Sequence, residues 1–241
     1  MKPSQVASPT NPCFINPSAC PVVTTFNQLV TAGRPEFQDL TGYERAVSAI
    51  ETIAAQGVLQ GIDSNHFAPG EPVSRSVFAT AFSRIFSFPA SSASILFSDI
   101  QKDDLNRIAY ERAQPYMSAY VGESGAINFF PASQVTREDA ALSAVGLLLA
   151  GNKLTLVEPA ESDAILRSLD DNNGLSAKKI RSYIATALAH HLLQTDDEGE
   201  FDRAFGGHWF LNRADFAVLL ISMETLFGPP PRNATSKHES K

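Results

Sequence analysis

Apolar residues recur at helical spacing through the middle of the chain. Four stretches step by three and four positions: Val47, Ile50, Ala54 and Val58; Phe78, Phe82, Ile85 and Phe86; Ile180, Tyr183, Ile184, Ala187 and Leu188; and Phe216, Leu219, Leu220 and Met223. This spacing places them on one face of an α-helix, whereas the alternation typical of strands is scarce. We therefore predict an all-α core, with extended pieces confined to loops.

The helical stretches belong to a pattern that occurs three times. Each copy opens with a short motif, which reads Phe37-Gln38-Asp39, Phe97-Ser98-Asp99 and Leu169-Asp170-Asp171. A helical stretch follows, and then a loop with a phenylalanine 28, 30 and 30 residues after the last aspartate, at Phe67, Phe129 and Phe201. We expect these aspartates to cap a helix or tie the copy together, and the phenylalanines to fill the core under the loop.

Each copy continues with an arginine motif that opens a second apolar helix. The three motifs are Val73-Ser74-Arg75-Ser76, Val135-Thr136-Arg137-Glu138 and Leu211-Asn212-Arg213-Ala214. The residue before each arginine is a good helix N-cap, because its side-chain oxygen can accept from a free backbone N–H. The spacing from phenylalanine to arginine is 8, 8 and 12 residues, which predicts a four-residue insertion in the third loop.

These copies define three helix-loop-helix units between two irregular ends. We assign the units to residues 36–92, 93–151 and 152–227, and expect them to share one core, since two short helices cannot bury their apolar faces alone. Pro115 should kink or shorten the first helix of the second unit. Residues 1–35 are predicted to be a Pro-rich extended arm, and residues 228–241 a disordered tail.

The arm raises two further alternatives. Cys13 and Cys20 could close a small disulfide loop in an oxidising compartment or remain two surface thiols. The first residues are polar and lack the apolar stretch of a signal peptide, so the sequence is not an intact secretory precursor. Either export is not needed or a leader has been removed.

Composition and charge exclude several classes of protein. Nineteen Lys and Arg residues against 26 Asp and Glu give a net charge of −7, which argues against a general nucleic-acid binder. No run of 18 apolar residues exists, so we predict no transmembrane segment. No enzyme signature is present and we predict neither catalysis nor a cofactor. A calcium loop at residues 169–180 fails because Leu169 and Ile180 stand where acids are needed, so no metal site is expected.

The threefold pattern resembles the S-layer homology (SLH) family. The resemblance rests on Phe-x-Asp, the stretch Gly57-Val-Leu-Gln-Gly61, Phe67-x-Pro69 and motifs similar to Thr-Arg-Ala-Glu at residues 135–139 and 212–216, and it covers residues 37–227. It implies a compact pseudo-threefold arrangement, with one helix of each repeat in a central bundle and grooves between neighbours. It also implies that the grooves bind a bacterial secondary cell-wall polysaccharide, often through a pyruvylated sugar, and that the motif arginine contacts the acidic ligand.

Carried over by position, the resemblance gives a set of candidate ligand-binding residues: Arg75, Arg137, Arg213, Gly57, Gly61, Ser74, Thr136 and Trp209. A guanidinium can fork onto a planar carboxylate, and glycines allow a sugar to approach the backbone. The arginines could instead be structural, and Trp209 could anchor its loop instead of stacking on a sugar. His191 and Thr195 replace the two glycines in the third unit, so we expect the Arg213 groove to be weakest. Arg→Ala is expected to weaken glycan binding with little change in Tm.

Two functions remain open at this point. The first is a non-catalytic cell-envelope attachment module that binds an acidic cell-wall polysaccharide or a peptidoglycan-linked glycan, located at the cell surface if a leader has been removed. The second is a structural subunit of a larger assembly, such as a phage virion or an envelope complex, which uses the same fold and the N-terminal arm for contacts with neighbouring proteins.

Overall fold

The structure is a computed structural model that describes residues 35–86, 95, 97–175, 178–195 and 203–228. The predicted arm with Cys13 and Cys20 and most of the predicted tail lie outside the described residues. Phe201 lies outside them as well. The expectations for the arm and the tail therefore stay predictions.

The described residues contain seven α-helices and one short hairpin. The helices are α1 (Val47–Ala55), α2 (Arg75–Ile85), α3 (Arg107–Ala113), α4 (Arg137–Ala150), α5 (Pro159–Arg167), α6 (Lys178–Ala189) and α7 (Arg213–Phe227). Turns of 3₁₀-helix span Glu44–Ala46, Gln114–Tyr116 and Asn172–Gly174. The hairpin pairs β1 (Tyr120–Val121) antiparallel with β2 (Ile127–Asn128). The fold is predominantly helical, as predicted; α5 and the hairpin were not predicted.

The apolar stretches lie on helices, and the arginine motifs lie at helix starts, as the sequence predicts. The four apolar stretches fall on α1, α2, α6 and α7 or on the residues that directly follow α1 and α2. The predicted N-caps are confirmed, since the side chains of Ser74, Thr136 and Asn212 accept hydrogen bonds from backbone N–H groups three residues on. The effect of Pro115 is also confirmed, because α3 has only seven residues and gives way to the 3₁₀ turn Gln114–Tyr116.

Helix α7 lies at the centre of the helix packing. Helix α7 contacts both α2 and α4, while α1 packs on α7, α3 packs on α2, and α6 packs on α4. The additional helix α5 packs on α6. The rings of Phe78 and Phe216 stack with centroids 4.9 Å apart, and both side chains are fully buried. Apolar residues of all three sequence units therefore contribute to one core.

The three aspartates tie the loops to the start of each unit. Both carboxylate oxygens of Asp39 accept backbone N–H groups, from Phe67 at 2.9 Å and Ala68 at 2.7 Å. Asp99 and Asp171 make the same pair of bonds, to residues 129 and 130 and to residues 205 and 206. These aspartates therefore clamp a loop and do not cap a helix.

The clamp also corrects the alignment of the third unit. Asp171 binds the N–H of Phe205, 34 residues on, so the phenylalanine equivalent to Phe67 and Phe129 is Phe205 and not Phe201. Phe205 is fully buried, like Phe67 and Phe129. The extra residues of the third loop lie before this phenylalanine, and eight residues separate it from Arg213 as in the other two units.

Candidate ligand-binding site

Three arginines join each unit to the next in a closed circle. The Nε of Arg75 donates to the carbonyl of Phe129 at 2.7 Å. Arg137 makes the equivalent bond to Phe205 at 2.8 Å, and Arg213 closes the circle with a bond to Phe67 at 2.9 Å. Each guanidinium also lies over the ring of the phenylalanine that it binds, with Cζ 4.6–5.3 Å from the ring centroid.

A second carbonyl completes each of these contacts. The Nη2 atoms of Arg75, Arg137 and Arg213 donate to the backbone oxygens of Ser118, Gln194 and Gln60, respectively. We call the three places the Arg75 junction (Arg75, Ser118, Phe129), the Arg137 junction (Arg137, Gln194, Phe205) and the Arg213 junction (Arg213, Gln60, Phe67).

All three arginines are buried, at 1%, 7% and 9% exposure for Arg75, Arg137 and Arg213. Burial lowers the pKa of the Arg75 guanidinium, and attraction to Tyr120, Asp139 and Asp99 opposes that shift. The carbonyl contacts reach the neighbouring unit, so these arginines have a structural role that the sequence offered as an alternative. The expectation that Arg→Ala leaves Tm nearly unchanged is therefore revised, since the substitution would leave buried carbonyls unpaired.

The junctions pair each arginine with a loop from the following unit. The loop of Gly57 and Gly61 lies at Arg213, because Gln60 is its acceptor there, and the equivalent loop with His191 lies at Arg137. The sequence argument that ranked the Arg213 groove lowest assumed that each arginine faces the glycines of its own unit. That assumption is wrong.

Both loop glycines, Gly57 and Gly61, are explained by the conformation of their own loop. Gly57 adopts φ +69, and His191 adopts the same left-handed conformation with φ 54. A Cβ on Gly61 would lie 2.6 Å from both the carbonyl oxygen of His66 and the ring of Phe37, so this glycine is needed for its own loop to close.

A cleft of about 320 Å³ opens at the Arg137 junction. We call it the Arg137 cleft; its wall residues include Tyr43, Arg137, Gln194, Trp209, Phe210 and Asp215. The Nη1 of Arg137 makes an ion pair with the Asp215 carboxylate, whose side chain remains 41% exposed. Arg137, Thr136 and Trp209 are the predicted site residues that come together here, since Thr136 pairs with Phe210 and Arg137 N–H donates to the Trp209 carbonyl at 2.9 Å.

Two exposed aromatic rings form one wall of this cleft. Trp209 is 46% exposed and Phe210 is 54% exposed. The indole of Trp209 packs flat against Gly206, where a Cβ would lie 2.1 Å from the ring. Ala68 and Phe130 hold the equivalent turn position in the other units with the same positive φ, so the glycine is needed here for the indole and not for the turn.

The Arg75 junction is covered by the hairpin. The ring of Tyr120 lies over the guanidinium, with Cζ 4.9 Å from the centroid, and Phe130 contacts the Tyr120 ring edge-on at 5.4 Å. Arg75 thus lies between the rings of Tyr120 and Phe129. Ser74, predicted as a ligand residue, caps α2 and pairs with Gln134 of the next unit.

Sequence reasoning missed three residues that define these environments. Asp215 was missed as an ion-pair partner, although it stands two residues after a motif arginine, as Asp139 does. Phe210 was missed, although it is adjacent to Trp209. Tyr120 carried no signal, because its contact with Arg75 depends on the fold of the hairpin.

The described part of the chain offers no sign of a membrane span or a metal centre. No helix there is both long and apolar enough to cross a bilayer. Among the same residues, no three His, Cys, Asp or Glu side chains group together as a metal site would require.

Comparison with known proteins gives one family. The model of the S-layer homology domain matches residues 36–76, which run from before Asp39 to just after Arg75. No curated protein matches the chain. S-layer homology domains are non-catalytic binding modules that mediate attachment to the cell wall, and the family implies association with the cell surface. Residues 36–76 of this chain are thus similar to an S-layer homology domain.

Proposed function

We propose that the chain is a non-catalytic attachment module in which three SLH-like units, at residues 36–92, 93–151 and 152–227, form a pseudo-threefold ring around one core. A cycle of backbone hydrogen bonds supports this arrangement. Val73 N–H donates to the Leu211 carbonyl, Val135 N–H to that of Val73, and Leu211 N–H to that of Val135, at 2.8, 2.9 and 2.8 Å. Each unit thereby contacts both of its neighbours.

The proposed ligand is an acidic bacterial cell-wall polysaccharide, such as one that carries a pyruvylated sugar, and its carboxylate binds at the Arg213 junction. The observation that carries this choice is the residue two positions after each motif arginine. Asp215 neutralises Arg137, and Asp139 attracts Arg75. In the same cyclic order the corresponding position for Arg213 is Val77, which carries no charge.

The remaining acids near Arg213 are compatible with this choice. Burial lowers the pKa of the Arg213 guanidinium, and attraction to Asp39 and Glu71 opposes the shift. Both oxygens of Asp39 already accept backbone N–H groups, and Glu71 is exposed to solvent. An exposed acid is screened by water and salt, so Arg213 keeps more of its attraction for a ligand carboxylate than Arg137 does. Gly57 and Gly61 belong to the loop that borders this junction.

A co-sedimentation assay tests the proposal. The chain should sediment with purified bacterial sacculi that keep their secondary polysaccharide, and remain in solution when that polysaccharide has been removed. Val77→Asp should weaken the binding about tenfold, because it supplies the missing counter-charge to Arg213. Val77→Asn is the matched control and should bind like the unmodified chain. Equal binding to both preparations of sacculi would contradict the proposal.

Three exposed apolar side chains favour a second candidate, a subunit of a larger assembly. Leu105, Ile108 and Val121, all in the second unit, are 61%, 62% and 64% exposed. Apolar side chains of this size are common at contacts between proteins. Self-association of the purified chain that is lost on Ile108→Glu, together with no binding to sacculi, would favour the assembly.

A further inference from the structure

The Arg137 cleft differs from the other two junctions in its aromatic wall. Trp209 and Phe210 occupy positions that are held by Glu71 and Pro72 at the Arg213 junction and by Ser133 and Gln134 at the Arg75 junction. The backbone bonds at these positions are the same in all three places: the carbonyls of Glu71, Ser133 and Trp209 each accept from the N–H of a motif arginine. The exposed aromatic pair is therefore an addition to a shared frame, not a part of it.

The charged side chains that line the Arg137 cleft balance one another. The two cationic side chains of Arg45 and Arg137 are matched by the two anionic side chains of Glu44 and Asp215. Arg137 uses each of its three nitrogens within the protein, for the Phe205 carbonyl, the Gln194 carbonyl and the Asp215 carboxylate. The carboxylate of Asp215 is the more exposed partner of the ion pair, at 41% against 8% for the side chain of Arg137. A ligand in the cleft therefore meets a neutralised cation and a partly exposed anion.

From these observations we propose that the Arg137 cleft binds an uncharged pyranose residue of a cell-wall glycan, stacked on Trp209 and Phe210. The proposal rests on the proposed function and assigns the two parts of the ligand to different places: the acidic group to the Arg213 junction and a neutral sugar to this cleft. The C–H face of a pyranose is apolar and suits an exposed aromatic ring, while its hydroxyl groups suit the carboxylate of Asp215 and the polar side chains of Gln194 and Asn212.

The charge distribution excludes an anionic sugar from this position. A carboxylate placed against Arg137 would also lie beside Asp215, and attraction and repulsion would offset each other within a few ångströms. A hydroxyl group has no such conflict, because it can donate a hydrogen bond to Asp215. The volume of about 320 Å³ lies at the low end of small-molecule sites, which fits one or two sugar residues better than a long segment of polymer.

Intrinsic fluorescence reads this cleft directly, because Trp209 is the only tryptophan in the chain. Titration with tetra-N-acetylchitotetraose, a neutral probe, should change the Trp209 emission, and the Kd should be the same at low and high salt. Calorimetry on Phe210→Ala should show about tenfold weaker binding of the probe, whereas Ile62→Ala, which removes a similarly exposed apolar side chain elsewhere, should not change it. No emission change and no heat with this probe would overturn the inference.

Asp215→Asn tests the charge argument. This substitution keeps a side-chain oxygen for Arg137 but removes the negative charge. The variant should gain about tenfold in affinity for a disaccharide that carries N-acetylmuramic acid, with a new dependence on salt, and should bind the neutral probe as before. Tighter binding of the acidic disaccharide than of the neutral probe by the unmodified chain would overturn the inference.

The co-sedimentation assay separates this inference from the proposed function. Binding to sacculi that depends on Val77 and persists in Phe210→Ala, with no response of Trp209 to the neutral probe, would reject the neutral-sugar cleft and leave the attachment function standing. Loss of all binding to sacculi with a normal response to the probe would reject the attachment function and support the cleft.

Discussion

The Arg75 junction and the Arg137 junction share one backbone frame and differ in what covers the arginine. In both, Nε donates to the carbonyl of a buried phenylalanine and Nη2 donates to a loop carbonyl. At Arg75 the ring of Tyr120 covers the guanidinium, and only 1% of the residue is exposed. At Arg137 a cleft lined by Trp209 and Asp215 opens beside the guanidinium.

The difference separates two roles of the motif arginine. Its carbonyl contacts hold neighbouring units together, and they recur wherever the motif recurs. The side chains around it, such as Tyr120, Trp209 and Asp215, differ from one junction to the next, and our proposals assign the differences in ligand recognition to them. The recurrence of the arginine in three units therefore indicates a role in the architecture before any role in ligand binding.

The largest expected effect comes from removing the arginine of the closed junction. Arg75→Ala should lower the free energy of unfolding by about 3 kcal/mol or more, since one buried and one half-buried carbonyl lose a charged donor. Urea unfolding followed by circular dichroism measures this change. Arg84→Ala is the control: Arg84 also donates to backbone carbonyls, of Gly57 and Val58, but it is exposed and should cost less than about 1 kcal/mol. Equal costs would contradict a structural role specific to Arg75.

A smaller effect is expected from opening the cover of the same junction. Tyr120→Ala should cost about 1–2 kcal/mol, because the guanidinium loses its contact with the ring and Phe130 loses a neighbour. Tyr120→Phe keeps the ring and should be close to neutral. The matched control is Val121→Ala, the next residue of the hairpin, which is 64% exposed and should change stability by less than about 0.5 kcal/mol. If Tyr120→Ala left the free energy of unfolding unchanged, the hairpin would not contribute to stability by covering Arg75.

The loops at the Arg137 and Arg213 junctions provide a stabilising substitution. His191 has φ 54, where an L-residue is strained, and Gly57 holds the equivalent position at φ +69. His191→Gly should raise the free energy of unfolding by about 0.5–1 kcal/mol, since the relief of strain exceeds the added entropy of the unfolded chain. Gly57→Ala should lower it by about 1 kcal/mol. Thermal unfolding of both variants measures whether His191→Gly stabilises the chain and Gly57→Ala destabilises it. A destabilised His191→Gly variant would contradict the equivalence of the two loops.

The smallest expected effect is a pH dependence at the Asp39 clamp. Burial alone would raise the pKa of Asp39, but the N–H groups of Phe67 and Ala68 lower it below the ordinary value of 3.8. A carboxyl with a lowered pKa stabilises the folded state above its unfolded pKa, and this contribution is lost as the pH falls through the folded value. Asp39→Asn should therefore be less stable than the unmodified chain at pH 7, and the gap should narrow below about pH 3. A gap that stays constant with pH would contradict this account.

Features that depend on neighbours in the sequence were predicted well. The helical faces of α1, α2, α6 and α7, the N-caps of the arginine helices and the short first helix before Pro115 all followed from local spacing and side-chain chemistry. The hairpin and α5 were missed, because two-residue strands carry almost no alternating signal and α5 has a Pro-rich and acidic start. The extra residues of the third loop were misplaced, because Phe201 and Phe205 are both plausible from spacing and only the Asp171 clamp distinguishes them.

The sequence identified candidate site residues more readily than it predicted which of them lie together. Arg137, Thr136 and Trp209 were all named from the sequence, and the structure places Arg137 and Trp209 in the wall of one cleft, with Thr136 paired to Phe210 beside it. Gly57 and Gly61 were assigned to the wrong neighbour, since nothing in a repeat of about 60 residues indicates that its loop will meet the arginine of another copy.

The sequence by itself determined the helices, their starts and the three arginines, because these depend on side chains within a few residues of one another. The tertiary structure decided which loop each arginine meets, that Tyr120 closes one junction and that Asp215 neutralises another. The physical reason is that these contacts join residues 45–153 positions apart, and their geometry is fixed only when the helices of all three units pack on one core.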